Sequence, residues 1–207
     1  MKQIQLWMIA AILFCGAGCL VSCNRNANAD KTVEDTVAVD TTQGVDPAIQ
    51  AIEKYLVDSI GSQYAQGEMC IPVITMTCAD GMRNDSLSMW GDYWVFNYKV
   101  VDDTLKTVSG GNHSGKMLLL KDDNGEFHVA SFEQVEDGAG NLASAKRIFG
   151  EYFDAYQAVQ GDEAYREKAR AGFIAEYVME HKLPVKYYQD YGWPAREIPA
   201  LKLKTKD

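Results

Sequence analysis

Asp123-Asn124-Gly125 stands between two apolar runs, Met117–Leu120 and Phe127–Val135, and that arrangement commits the middle of the chain to antiparallel β structure. An Asn-Gly pair supplies the positive φ that a tight hairpin turn needs, so the flanking runs pair with each other. Upstream, Asp92–Val101 alternates with Trp94, Phe96, Tyr98 and Val100 on one face, and Ile71–Cys78 is rich in branched residues. Both read as strands. Asp102-Asp103 reads as a turn into a further strand over Thr104–Ser109. Gly110–Gly115 then reads as a glycine-permitted turn or bulge before the hairpin.

Helical periodicity brackets this β region. Asp46-Pro47 supplies a capping carboxylate and a proline at a position where its missing N–H costs nothing. Ile49, Ile52, Leu56 and Ile60 follow at steps of three and four, which predicts a helix ending near Tyr64–Gly67. After the hairpin, Leu142, Ala145, Ile148, Phe149, Tyr152, Phe153 and Tyr156 mark one apolar stripe, and a second helix opens at Asp162 and runs to about Lys182, before Pro184. The tail from Tyr187 to Trp193 is aromatic, and Leu201–Lys206 alternates Leu with Lys as either an edge strand or a loose end. This order predicts an α+β domain: a curled antiparallel sheet with an N-terminal helix and two C-terminal helices. Together with the Trp94 and Gly110–Gly115 regions, the element order resembles the NTF2-like and cystatin-like rolls of exported bacterial lipoproteins, over roughly residues 46–182. The chain departs from NTF2-like rolls in placing two helices last.

At the N-terminus, Lys2, an unbroken apolar stretch from Leu6 to Phe14 and the small residues Gly16-Ala17-Gly18 have the layout of an export signal. Leu20-Val21-Ser22-Cys23 follows and resembles the lipobox of bacterial lipoproteins. The resemblance implies cleavage before Cys23, thioether lipidation of Cys23, and a hold on the membrane through acyl chains. Two other readings stand beside it. Ile4–Val21 is long enough to span a bilayer, although Gln5 and two glycines interrupt it. Ala27-Asn28-Ala29 before Asp30 is an A-x-A site whose cleavage would release a soluble protein. The lipobox reading divides the chain into a signal peptide over 1–22, a lipid-anchored flexible tether over 23–45, and a single domain over 46–207. Asn24–Gly44 has no periodicity, and such a tether reaches up to about 75 Å when stretched. No acidic cluster directly follows Cys23, which points to a periplasmic, membrane-anchored location in the cell envelope.

The formal net charge is −9, and loss of residues 1–22 removes Lys2 and leaves the chain more acidic still. That sign argues against nucleic acid, whose binding is dominated by neutralising phosphates, and against a polybasic hold on anionic lipid. Of the five cysteines, only Cys70 and Cys78 lie in the expected domain. On one extended strand, eight residues at roughly 3.3 Å each place them about 26 Å apart. A disulfide tolerates about 7 Å between Cα atoms, so two small buried thiols are expected.

Candidate chemistry is sparse. Gly110–Met117 nearly matches a phosphate-binding loop, but Met117 stands where Ser or Thr must ligate magnesium, and a strand follows where a helix is needed. Ser114 lies off the centre of a G-x-S-x-G elbow. The acidic pairs Asp102-Asp103, Asp122-Asp123 and Glu136-Asp137 fall at turns. His113, His128 and His181 have no metal-ligand partner at helical or strand spacing, so neither a metal nor a cofactor is expected. His128 is expected to share a strand face with Ala130 and Phe132, opposite to Glu133. It is the least implausible catalytic residue and, with Trp94 and Tyr98, a candidate for lining a pocket. Trp90, Tyr93, Trp94, Tyr187, Tyr188, Tyr191 and Trp193 would suit a ligand platform if exposed and a core if buried.

The expectation is an exported lipoprotein that binds a small ligand or an envelope protein without catalysis, held to the membrane through Cys23. One alternative is an enzyme with a pocket in an NTF2-like roll, using His128 for proton transfer. Another is a periplasmic inhibitor or immunity protein that presents Gly110–Gly115 to a partner enzyme.

Overall fold

The computed structural model describes residues 38–39, 46–83 and 85–203. Helix α1 (Pro47–Tyr55) starts as its cap predicts, with the Asp46 carboxylate accepting from the Ala48 N–H at 2.8 Å. It winds on through a wider π turn over Leu56–Ile60 and a 3-10 turn over Gly61–Gln63, so that Ala48, Ile52, Leu56 and Ile60 share one buried stripe. Four long strands follow: β2 (Met69–Arg83), β3 (Ser86–Val101), β4 (Thr104–Lys121) and β5 (Phe127–Gln134). All are antiparallel to their neighbours in chain order. Helices α2 (Asn141–Phe149), α3 (Phe153–Gly161) and α4 (Glu163–Glu180) come next. The tail adds β6 (Tyr187–Gln189) and β7 (Arg196–Glu197) to the sheet. A separate parallel pair joins β1 (Ala38–Val39) to β8 (Lys202–Leu203).

Strand β4 is the hinge of the architecture. Its second half pairs with β5 over Gly115–Lys121, while its first three residues pair in parallel with β6. The result is an α+β fold whose curled, mostly antiparallel sheet makes a half-barrel. One face carries Tyr93, Val95, Met117 and Leu119 against α1. On the other face, Trp90 packs on Ala145, Ile148, Phe149 and Tyr156 of α2 and α3, and Tyr98 and Leu105 pack on Ile174 of α4. The alternation of β3 sorts these two sets, since neighbouring residues point to opposite sides.

Three local expectations are corrected. Gly110–Gly115 is neither turn nor bulge but the middle of the continuous 18-residue strand β4. These glycines serve close approach: a Cβ at Gly111 would collide with the Tyr64 hydroxyl, and one at Gly115 with the Glu133 carbonyl oxygen. At the hairpin, only Gly125 takes a positive φ (+82°), and the Asp122 carboxylate organises the turn by accepting from the Asn124 and Glu126 N–H groups at 2.8 and 2.9 Å. The helix expected from Leu142 to Tyr156 is broken by a 3-10 turn over Gly150–Tyr152 into α2 and α3.

Candidate functional site

Asp92 is the one carboxylate of β3, on the side that faces α2, α3 and α4, between Trp90 and Trp94, and it is fully buried at 0% exposure. Strand register places Ser114 of β4 directly opposite it and Asn112 opposite Trp94. One oxygen, Oδ2, accepts from the Trp94 indole N–H at 2.9 Å. The other, Oδ1, accepts from Ser114 Oγ at 2.7 Å, from Gln160 Nε2 of α3 at 2.7 Å, and from Asn112 Nδ2. A buried carboxylate needs such donors, because leaving it unpaired would cost several kcal/mol (~2–7) even before its charge is counted.

A cleft of about 250 Å³ opens above this network. Its sheet wall is Asn112 and Ser114 of β4, its helical wall is Tyr156, Gln157 and Gln160 of α3, and Asn141 and Leu142 of α2 close one end beside Asp137. Burial pushes the Tyr156 hydroxyl above its ordinary pKa, with its hydrogen bond to Ser114 pulling the other way and the Asp92 charge adding to the rise. Polar groups therefore line a space reached from solvent, over a floor that carries a fixed acidic group. Among the described residues, no group of three or more His, Cys, Asp or Glu side chains gathers to hold a metal ion.

The residues singled out in the sequence fall elsewhere. Trp94 touches the site only through its indole N–H, and its ring stacks on Phe96 with centroids 5.5 Å apart. Tyr98 shares the face expected of it but is fully buried under α4, its hydroxyl accepting from Arg170 Nε and Nη2 at 3.0 and 2.8 Å. His128 is exposed on β5, paired across the register with Leu120 near the hairpin. A bulge at Ala130 turns His128 onto the face of Ser131 and Glu133 rather than that of Phe132, because the register to β4 slips by one residue there. His113 points to the opposite side of the sheet from Ser114, where its ring nitrogens meet the Tyr64 hydroxyl at 2.9 Å and Gln134 Oε1 at 2.8 Å. His181 stacks on Tyr177 at 4.0 Å. Cys70 and Cys78 are both free and half-buried, and burial pushes the Cys70 thiol up to about 11. Cys23 lies outside the described residues, as do the signal peptide and nearly all of the tether.

Asp92, Asn112, Tyr156 and Gln160 form the site, and sequence reasoning did not assign them to it. One signal was present: an aspartate occupies a position on the alternating aromatic face of β3, where burial makes an unpaired charge costly.

Compared with models of known protein families, with curated proteins and with solved structures, the chain matches none of them.

Proposed function

We propose that this chain is an exported, lipid-anchored binding protein of the cell envelope whose α+β roll, NTF2-like or cystatin-like in kind, takes a small polar ligand in the cleft above Asp92. The observation that carries the reading is the wall of that cleft: a buried carboxylate lies behind it, whose donors Asn112 and Ser114 of β4 and Gln160 of α3 are fixed in place before any ligand arrives. Such preorganisation reduces the ordering cost of binding. The three histidines lie outside the cleft, so the groups most suited to proton transfer at neutral pH do not converge on a bound molecule. A lipid on Cys23 supplies the membrane attachment in this reading, and no helix among the described residues is long and apolar enough to cross a membrane.

The test is a screen of sugars, amino acids, amines and nucleosides by thermal shift, repeated on Asn112→Ala. A ligand that raises the melting temperature of the parent protein and not of the variant supports the cleft as its site. Stabilisation retained in the variant, or no ligand at all, counts against it. Incorporation of labelled palmitate that is lost in Cys23→Ser tests the anchor separately.

A protein partner is the second reading, and the turn after β6 favours it. Tyr191 is 97% exposed and Trp193 69%, and the turn that carries them is fixed by the Trp193 N–H donating to the Asp190 carbonyl at 3.1 Å. Exposed aromatic side chains on such a turn offer a partner large contact area at low entropic cost. An inhibitor or immunity role would run through this turn rather than through Gly110–Gly115.

A further inference from the structure

We infer that the cleft selects a small organic cation, bearing a primary ammonium or guanidinium group, drawn by the unpaired charge of Asp92 buried behind the cleft wall and by Asp137 on the lining. The inference rests on the ligand-binding role proposed above for the same cleft. All four side-chain partners of Asp92 are neutral donors: the Trp94 indole, the Asn112 and Gln160 carboxamides and the Ser114 hydroxyl. A carboxyl group met only by donors has the hydrogen-bond pattern of its ionised form. Buried charges are ordinarily paired, yet among the described residues Asp92 takes part in no ion pair. Three cations border the region and stay on rings instead, Lys116 Nζ lying 4.6 Å from the Trp90 ring centre. The Arg166 guanidinium lies 6.0 Å from the Trp94 ring centre, and Lys146 Nζ lies 5.7 Å from that of Phe153.

The remaining polar atoms point the same way. Gln160 Nε2 donates to Asp92 Oδ1 and also to Ser114 Oγ at 3.1 Å, which uses both its N–H bonds and leaves its carbonyl oxygen as an acceptor. Asp137 adds an exposed carboxylate to the cleft lining. Gln160 therefore turns its donors inward and leaves an acceptor toward the cleft. Phe153 and Tyr156 line the same space and give it apolar surface beside the polar groups. A volume near 250 Å³ corresponds to about eight waters of the liquid, which accommodates a diamine or an amino sugar. An anion of that size would meet Asp137 on the lining, with the charge of Asp92 behind the wall, and be repelled.

The Trp94 indole N–H, bonded directly to Asp92, is a built-in reporter. The protein has four tryptophans, so nitrogen-labelled indole signals are few, and the Trp94 signal is assigned by its loss in Trp94→Phe. Titration with putrescine is compared with titration by butanediol, the neutral analogue of the same chain length. The expected result is a Trp94 shift at a concentration about tenfold lower for putrescine, from charge attraction to Asp92, and loss of that difference in Asp92→Asn. Equal responses to both compounds overturn the cation assignment and leave the ligand-binding cleft standing. A protein that responds to neither compound, nor to any compound of the broader screen, overturns both. Gln160→Lys is the second variant, should Asp92→Asn fail to fold: its ammonium would sit beside Asp92, raise the melting temperature and block the putrescine response. A lowered melting temperature with an unchanged putrescine response overturns the inference.

Discussion

Arg170 and Asp92 are the two charged side chains buried among the described residues, and their surroundings differ in kind. Arg170 is paired: Nη1 and Nη2 donate to Asp190 at 2.7 and 2.8 Å, Tyr98 takes two further bonds, and the guanidinium lies 3.9 Å from the Phe96 ring centre. Replacing it by methionine leaves the buried Tyr98 hydroxyl and the Asp190 carboxylate without their partner. We expect a loss of about 1–3 kcal/mol in urea unfolding, chiefly from the buried Tyr98 hydroxyl left unpaired, since the Asp190 side chain is 41% exposed and keeps its bond from Thr107. The pair also sets a pH dependence. Hydrogen bonding from Arg170, opposed by desolvation and aided by Thr107, holds the Asp190 carboxyl below the usual carboxylate range. A depressed native pKa contributes stability that is fully present above the unfolded value of about 3.9 and is lost as pH falls through the native value. The stability gap between the parent protein and Asp190→Asn should therefore narrow on acidification below about pH 4. The Arg170 cluster was invisible in the sequence because its members are separated by up to 92 positions along the chain and meet only once α4 and the tail dock. Asp92, by contrast, was readable as a charge on an apolar face, although its partner Gln160 was not.

Between elements, α1 and α4 bring carboxylates toward one another. Burial first, and then the charges of Glu176 and Glu180, push the Glu53 carboxyl up to about 7. Below the unfolded pKa the group is neutral in both states. As pH rises from about 4.5 toward 7, the unfolded chain ionises first and the native state falls behind. Glu53→Gln should thus leave the unfolding free energy unchanged near pH 4 and raise it at pH 8, by roughly 1 kcal/mol once partial exposure is allowed for, as urea unfolding at the two pH values would show. The strands teach a related lesson about reading glycine. Helix starts, the alternating strand β3 and the hairpin were legible because each depends on local periodicity or local turn chemistry. The long β4 was not, since its glycines answer to the neighbouring strand and to Tyr64 rather than to any turn. Gly115→Ala should accordingly destabilise more than Gly125→Ala, although only Gly125 has positive φ. At Gly115 the new methyl meets the Glu133 carbonyl of the adjacent strand, and overpacking of that kind costs about 1–3 kcal/mol, whereas the Gly125 turn is open and carries a backbone penalty of roughly 1 kcal/mol. Urea midpoints of the two variants check the ranking.

For the molecule as a whole, the tail after Pro184 is part of the fold. Val185 and Tyr188 are buried with Ile71, Tyr98, Leu105 and Ile174, the Tyr188 hydroxyl donates to Glu167 at 2.6 Å, and Arg196 reaches the same carboxylate at 3.0 Å. A three-residue strand is too short to show a period, and its parallel pairing with Thr104–Lys106 joins segments some 80 residues apart, which is why the sequence showed an aromatic stretch but no strand. The tail has two sides, and they make opposite predictions. Truncation after Pro184 strips the cover from Tyr98 and Leu105 and removes Asp190 from Arg170, so the shortened chain should lose its cooperative thermal transition. The paired change Tyr191→Ala and Trp193→Ala alters only the solvent side, where neither side chain supports the core, and should leave stability within about 0.5 kcal/mol of the parent. If the double variant instead melts well below the parent, the turn is a packing element and the case for a protein partner there is gone. If stability holds, the two rings are kept in water by a scaffold that does not need them, and the turn stays available to the protein partner proposed above.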